Sequence, residues 1–402
     1  MAFKQKYEVA VIGGGVAGVA AALAAARRGH KVVLIEKGTI LGGLATSGLI
    51  CVYLAICDGF GHQVGYSLTE ELLLLGSKYG PENIPPYWKG DKSADPKQRY
   101  VCVYAPSAMS LALDEELNKA GVDIYYDTML LRAFTDDQKR LQAVEVVNAD
   151  GFSLLEAEIF VDASGSCSAI RQAGGEVEMG GNFQILWTLM NYPKEMQGDF
   201  PINIKYFGPS HPPVPPFASV TAAGTNKLIH DGFDEVRAFL NQEYSNGKSR
   251  QELFPTNLPT MPLFRKVARI MGRATMDSEQ HGLLREDSVG LAADWRRKGP
   301  IWEIPYGALL PEKLTGVLAA GRCVASTNDA WDVMRVIPPA VTTGESAGVA
   351  AALAVEKGVL PHELDIKLLQ NELRKLSIPL HIPDIGLTYN EVLTNSQLPN
   401  AQ

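Results

Sequence analysis

The sequence predicts an α/β fold: a parallel sheet covered by helices, with a second, mixed α+β lobe inserted between its parts. Three observations predict it. Residues 7–37 read as strand, glycine turn, alanine-rich helix and strand; residues 159–174 as a buried strand ending in Ser-Gly and a turn of helix; residues 316–358 as a strand ending in glycine and, a short way on, a long helix. Strands that alternate with helices across short turns build parallel sheets. A chain of 402 residues with 46% hydrophobic content can bury a large core and form more than one lobe.

In the first unit, YEVAVI (7–12) is a strand, 16–28 a helix and KVVLIE (31–36) a second strand. Gly13 permits the tight turn into the helix, Gly15 lets a pyrophosphate approach the backbone, and Gly18 lets the helix lie close on the sheet. The bare amides at Val16 and Ala17 and the helix dipole then face an anion. Ala17, Ala20, Ala21, Ala24 and Ala25 are all small, which serves the same close packing. Glu36 ends the second strand, with Lys37 beside it, where a carboxylate accepts from a ribose hydroxyl and repels a 2′-phosphate. A lone GxGxxG is a weak signal; with strand, helix, strand and terminal acid it specifies an ADP group and a Rossmann-like unit.

The remaining junctions decide which dinucleotide carries that ADP. LGGLATSG (41–48) offers Gly42, Gly43, Leu44, Ala45 and Thr46 as a second loop near the pyrophosphate, although a glycine-rich surface loop would read the same way. IFVDASGSCSAIRQAG (159–174) ends its strand at Ala163, Ser164 and Gly165, small enough to pass under a nucleotide. GVLAAGRCVAS (316–326) ends at Gly321, with Arg322 placed to neutralise phosphate. In RVIPPAVTTGESAGVAAALAVEKG a helix begins near Pro339 and runs to Gly358, proline suiting a first helical turn. Its N-terminus, at Val336 and Ile337, would stabilise negative charge on a flavin ring by of order 0.3–2 kcal/mol. A nicotinamide has no use for that arrangement, so FAD is the expected cofactor.

GGGVAG with its terminal Glu-Lys, LGGLATSG, VDASG, EIPYGALLP running into AAGRCVAS, and RVIPPAVTTGESAGVAA resemble, in order and spacing, the FAD-dependent oxidoreductases of the glutathione-reductase-like superfamily. The resemblance implies a discontinuous FAD domain from 1–60, 100–180 and 300–360, its parallel sheet carrying a β-meander. It implies a substrate domain from 61–99 and 181–299, a C-terminal helix and tail over 361–402, and a place near the adenine for Leu130. Many relatives carry His-Glu after the AGRC segment; this chain has Asn328-Asp329.

Absences narrow the class. Cys51 and Cys57 have five residues between them where disulfide reductases of the superfamily have four, and no second GxGxxG follows. The expected reaction is hydride transfer between a substrate C–H or C=C and flavin N5, with NAD(P)H or another donor or acceptor as redox partner. A hydroxylase- or halogenase-type monooxygenase or its reductase relative is the alternative, because Ala163-Ser164-Gly165, Ser168 and Arg171 fit the AxGxxSxxR pattern of that branch. A non-catalytic flavin-binding redox sensor is another. Arg335, ahead of the last long helix, could hold a substrate carboxylate or instead pair with cofactor phosphate or Asp332. His281 and His62 are the other catalytic candidates, each equally readable as a packing or surface residue.

The net charge of −8 argues against nucleic acid, and the short clusters Arg27-Arg28 and Arg296-Arg297-Lys298 read as solvated helix ends. The scattered histidines form no metal-ligand spacing. Glu8 and the Gly13–Gly15 triplet spoil the N-terminal run as a secretion signal, and no stretch reaches the about 18 apolar residues of a membrane span. Five cysteines without CxxC suit a reducing compartment, so a cytoplasmic protein is expected. The aromatic stretch with Trp187, Tyr192, Tyr206 and Phe207 could line a substrate pocket, but ILWTLMNY reads more simply as a fully buried strand.

Overall fold

The computed structural model describes residues 4–84, 101–182, 185–208, 217–218 and 221–397. The first strand, Lys4–Ile12, starts ahead of its apolar pattern because it pairs from Lys4 onward with the long strand Gly151–Asp162. Helix α1 (Val16–Ala26) returns to strand Val32–Ile35. Parallel pairing orders the sheet as Asp123–Tyr125, Val32–Ile35, Lys4–Ile12, Gly151–Asp162 and Val317–Ala319. The first half of Gly151–Asp162 also closes an antiparallel meander with Met129–Thr135 and Leu141–Asn148. The α/β class and the meander are thus both present.

The register fixes where the junctions open. Ile12 pairs with Ile35 on one side and Asp162 on the other, and Asp162 pairs with Ala319. Four strands therefore end level on one edge, the carboxyl edge at which ligands meet open α/β sheets.

Helix α3 (Pro106–Lys119) packs on α1, α2 (Leu68–Leu75) packs on α3 and on the last long helix, and the short α4 (Ser168–Gln172) follows the second junction. In the inserted lobe, α5 (Ala222–Ser245) covers an antiparallel sheet ordered Ile204–Phe207, Leu186–Asn191, Phe254–Asn257. Leu186–Asn191 alternates buried and half-buried residues, unlike the fully buried strand its composition suggests, because one face alone meets α5. Phe207 and Phe239 stack edge to face across that contact at 5.6 Å.

Helix α6 (Asn328–Met334) leads into α7 (Ile337–Lys357), which starts two residues before Pro339. Pro338 and Pro339 both fit its first turn, where no intrahelical N–H is needed. Every residue of α1 is buried, and so is every residue of α7 from Ile337 to Ala354. A helix apolar all round belongs in a core, and these two cross at their small residues. Gly344 and Gly348 of α7 face the carbonyls of Ala17 and Ala21. The hairpin Ser288–Ala293 with Ile301–Pro305 covers another side of α7, where the Ser346 hydroxyl donates to the Val289 carbonyl at 2.7 Å.

The C-terminal helix expected at the start of 361–402 divides into a turn at Pro361–Glu363 and helix α8 (Ile366–Lys375), because the Asp365 side chain caps α8 by accepting from Lys367 N. Helix α9 (Tyr389–Ser396) ends the described chain. That tail is docked: Ile382, Leu387 and Val392 pack with Val64, Leu291 and Ile301. The buried Glu303 carboxylate accepts from Ile382 N at 2.9 Å, Arg285 N at 2.7 Å and Tyr389 Oη at 2.8 Å, and faces His381 Nδ1 at 3.0 Å. Among the described residues no helix is long and apolar enough to cross a membrane.

Candidate functional site

The first junction is built from glycines that a side chain would break. Gly13 has φ 99°, its N–H donates to Ile35 O at 2.8 Å, and a Cβ there would stand 2.8 Å from Ala163 O. A Cβ on Gly18 would lie 1.8 Å from Gly13 O, so turn and helix close only on a bare backbone. Gly15 differs: it caps α1 in extended conformation, no side chain caps the helix, and nothing lies within 4 Å of where its Cβ would be. Val16 and Ala17 follow in the first turn, where the amides have no intrahelical acceptor.

The second glycine loop packs on the first. Gly42 N donates to Gly14 O at 2.8 Å, and a Cβ on Gly43 would lie 3.1 Å from Gly15 Cα. The Thr46 hydroxyl is used within the loop, donating to Leu41 O at 2.5 Å, while Leu44 O accepts from Ile50 N and Ala45 is buried. Glu36, 9% exposed, reaches from its strand end to the turn, accepting from Gly14 N at 2.7 Å and Gly38 N at 2.6 Å. Lys37 is exposed. Thr128 N donates to Glu36 O and Asp127 N to Gly38 O, which brings the segment just before Leu130 to the same place.

At the second junction Asp162, which the sequence reading passed over, is the organiser. It is fully buried and accepts from Ser164 Oγ at 2.6 Å, Ser164 N at 3.1 Å and Ile170 N at 3.0 Å. Burial pushes its carboxyl above the usual range. Ala163 N donates to Ile12 O, tying this junction to the first. Gly165, at φ 71°, makes room for Arg322, whose Nη2 would be 2.2 Å from a Cβ. Arg322 also donates to Phe264 O, and burial, reinforced by the neighbouring Arg335 charge, pulls its guanidinium down to about 10. Gly321, at φ 63°, sits over Ala17, and its N–H donates to Thr343 Oγ1 of α7 at 2.9 Å.

The N-terminus of α7 has Val336 as an extended cap and no side-chain acceptor. A narrow cleft lies beside it, walled by Val336, Pro338, Pro339 and Thr342 on the helix side and by Ile56, Leu291 and Trp295 opposite. Arg335 stands behind one wall of this cleft rather than in its lining: Nε donates to Asp332 Oδ1 at 3.1 Å, and the guanidinium is 5.8 Å from the ring centre of Trp295, which does line it. Trp295 Nε1 in turn donates to Asp332 O at 2.9 Å.

The two histidines are placed differently. The His281 ring packs on Trp302 at 5.4 Å, with Nδ1 at 2.9 Å from Ser278 O. His62 Nδ1 lies 2.8 Å from the buried Asp58 carboxylate, in the loop between Ile56 and Val64. Neither lines the cleft. Cys51 and Cys57 are both buried, and burial pushes the Cys51 thiol up to about 12, which leaves it no thiolate character.

These features fit a dinucleotide. Open space in front of an uncapped helix N-terminus suits a phosphate, a carboxylate at the adjoining strand end suits a ribose, and a second uncapped N-terminus stands at the next junction. Gly13, Gly15, Val16, Ala17 and Gly18 could hold the phosphates, Glu36 the ribose, and Val336 and Ile337 the far ring.

A family model described as FAD dependent oxidoreductase matches residues 8–188 and 270–373. The chain is 26% identical over 198 residues to the L-aspartate oxidase of Mycobacterium leprae, covering 40% of this chain and 36% of that protein. It is 62% identical over 39 residues to the bilirubin reductase of Mediterraneibacter gnavus, covering 10% of this chain and 6% of that one. The matches thus span about a third or less of these relatives' own length. A geranylgeranyl bacteriochlorophyll reductase-like structure from Thermoplasma acidophilum aligns at TM-score 0.47 and 16% identity, over 97% of this chain and 90% of that one. With the family model matched across well over half of its length, and with the glycine turns, acid and uncapped helices that an ADP-containing flavin requires, the chain belongs to the FAD dependent oxidoreductases.

Proposed function

We propose that this enzyme moves a hydride between a carbon of a small organic molecule and FAD held along the level strand ends. The observation that carries the reading is the pairing of two uncapped helix N-termini, α1 and α7, crossed at their small residues and opening on one sheet edge. Bound FAD supplies a two-electron acceptor or donor at N5.

The protein's own part is binding, orientation and charge. Gly15, Val16 and Ala17 present amides to the pyrophosphate; Gly42 and Gly43 keep the second loop close enough to enclose it; Glu36 accepts from the ribose. Ala163, Ser164, Gly165 and Gly321 keep the strand tips low beneath the nucleotide, and the segment before Leu130 borders the adenine. The Val336 and Ile337 end of α7 favours negative charge on the pyrimidine edge of the ring. Arg335 orients the substrate in the cleft beside Trp295, a position that excludes water once filled.

Anaerobic titration of the FAD-loaded protein tests the reading. A substrate or its product should bleach or restore the flavin absorbance without oxygen. Bleaching by NAD(P)H, followed by oxygen uptake only when an aromatic or alkene is added, would replace it with a monooxygenase. Flavin inert to every donor would replace it with a non-catalytic flavoprotein.

A further inference from the structure

The segment between strands Phe254–Asn257 and Ala268–Ile270 places two cations against Arg335 and Arg322. Phe264 O accepts from Arg322, and Lys266 Nζ donates to Asp332 Oδ2 at 2.6 Å, opposite the oxygen that takes Arg335 Nε. Arg265 lies between them. Its backbone is clamped by the buried Asn182, whose Oδ1 accepts from Arg265 N at 2.8 Å and Lys266 N at 3.0 Å and whose Nδ2 donates to Lys266 O at 2.7 Å.

Arg265 itself has no side-chain partner among the described residues, and its Nε is buried and unbonded. Arg335 bonds through Nε alone, which leaves both terminal nitrogens without an acceptor among the described residues. Among the described residues Asp332 is the one carboxylate bonded within this group, and it is taken by Lys266 and Arg335. Arg296, whose charge also reaches Arg335, is occupied by Asp294 and Asp329. One carboxylate shared among three cations leaves an excess of positive charge behind the Trp295 wall of the cleft, and half-buried guanidinium groups in such excess call for an anion. The requirement is for planar bidentate acceptance, which a carboxylate meets and an amide does not.

We propose that Arg265 and Arg335 together anchor a carboxylate of the substrate, so that the enzyme acts on an organic acid whose reacting carbon lies in the cleft by Trp295. This rests on the hydride-transfer reading above. Arg265 carried no motif in the sequence; only the Asn182 clamp and the fold of the inserted lobe bring it to Arg335.

The test uses the FAD-loaded full chain with benzoate, its amide isostere benzamide and inorganic phosphate, following both the flavin absorption spectrum and the melting temperature. Benzoate should perturb the spectrum and raise the melting temperature, while benzamide and phosphate at equal concentration should do neither. Arg265→Met and Arg335→Met should each weaken benzoate about tenfold or more, and Arg265→Lys, which keeps the charge but loses the fork, should fall between. Variants that keep the wild-type melting temperature and flavin content yet bind benzoate as tightly overturn the assignment. So does flavin-loaded wild type that responds equally to all three probes, or to none. Wild type that takes up no flavin at all instead overturns the hydride-transfer reading, and the initial absorbance reads that outcome separately.

Discussion

A Cβ on Gly344 of α7 would stand 2.2 Å from the carbonyl oxygen of Ala17 in α1, so the two helices touch backbone to backbone at the first turn of α1 and two turns into α7. One turn on, a Cβ on Gly348 would stand 2.3 Å from the Ala21 carbonyl. The obstacle in both cases is backbone, which cannot rotate away as a side chain could. The alanines and glycines of these helices set the spacing of the two helix ends.

Gly344→Ala is therefore expected to destabilise the protein although alanine is the better helix former. Relief of the glycine penalty gives about 1 kcal/mol, and overpacking against backbone costs about 1–3 kcal/mol or more. The denaturant midpoint should fall and FAD retention with it. A midpoint that rises would mean that the helices are free to separate.

Glu36 holds the first turn through Gly14 N and Gly38 N as well as standing where a ribose would bind. Replacing it by arginine removes both acceptors and reverses the charge. Glu36→Arg should lose FAD on gel filtration, and Glu36→Gln, which keeps one acceptor, should weaken it about tenfold, equivalent to ~1.4 kcal/mol. Flavin content unchanged in the arginine variant would remove Glu36 from the site.

Glu345 is buried in α7 and caps α2, accepting from Ser67 Oγ at 2.6 Å and Leu68 N at 3.2 Å. Burial raises its carboxyl from 4.5 to about 7, with the nearby Glu71 adding to the rise. The folded state thus holds the proton more tightly than the unfolded chain. The stability it contributes is fully present below about pH 4.5 and is lost as pH rises through about 7, on the order of 3 kcal/mol across that window. Urea unfolding followed from pH 5 to 8 should show this decline, and Glu345→Gln should flatten it. Parallel curves for the two proteins would contradict the assignment.

The docked tail hangs on Glu303. Glu303→Ala leaves Arg285 N, Ile382 N and Tyr389 Oη without their acceptor in a buried place and should cost about 3–5 kcal/mol. Tyr389→Phe removes one donor only and should cost about 1 kcal/mol. Equal losses from both, read from denaturant midpoints, would show that the carboxylate does not gather the tail.

Much of the cofactor half was legible because its constraints are local. A glycine that must clear Ala163 O or Gly13 O, or an acid that ends a strand, leaves a mark within a few residues. The rest depends on contacts distant in sequence. Pro339 did not mark the helix start because Pro338 shares its first turn, and the C-terminal helix expected after 361 was split by the Asp365 cap. Thr46 reads as a cofactor ligand in sequence, yet Leu41 O takes its hydroxyl. Asp162 looked like one more strand residue until Ile170 N and Ser164 closed around it. Arg265 and the tail on Glu303 had no local pattern, since their partners lie 83 and 79 residues away in Asn182 and Ile382.

The account turns on whether these junctions hold one flavin. Purified protein incubated with FAD and freed of excess by gel filtration should be yellow, with flavin absorbance equal to a single FAD per chain. Protein that stays colourless after that treatment, while its unfolding remains cooperative, would contradict the account at its base.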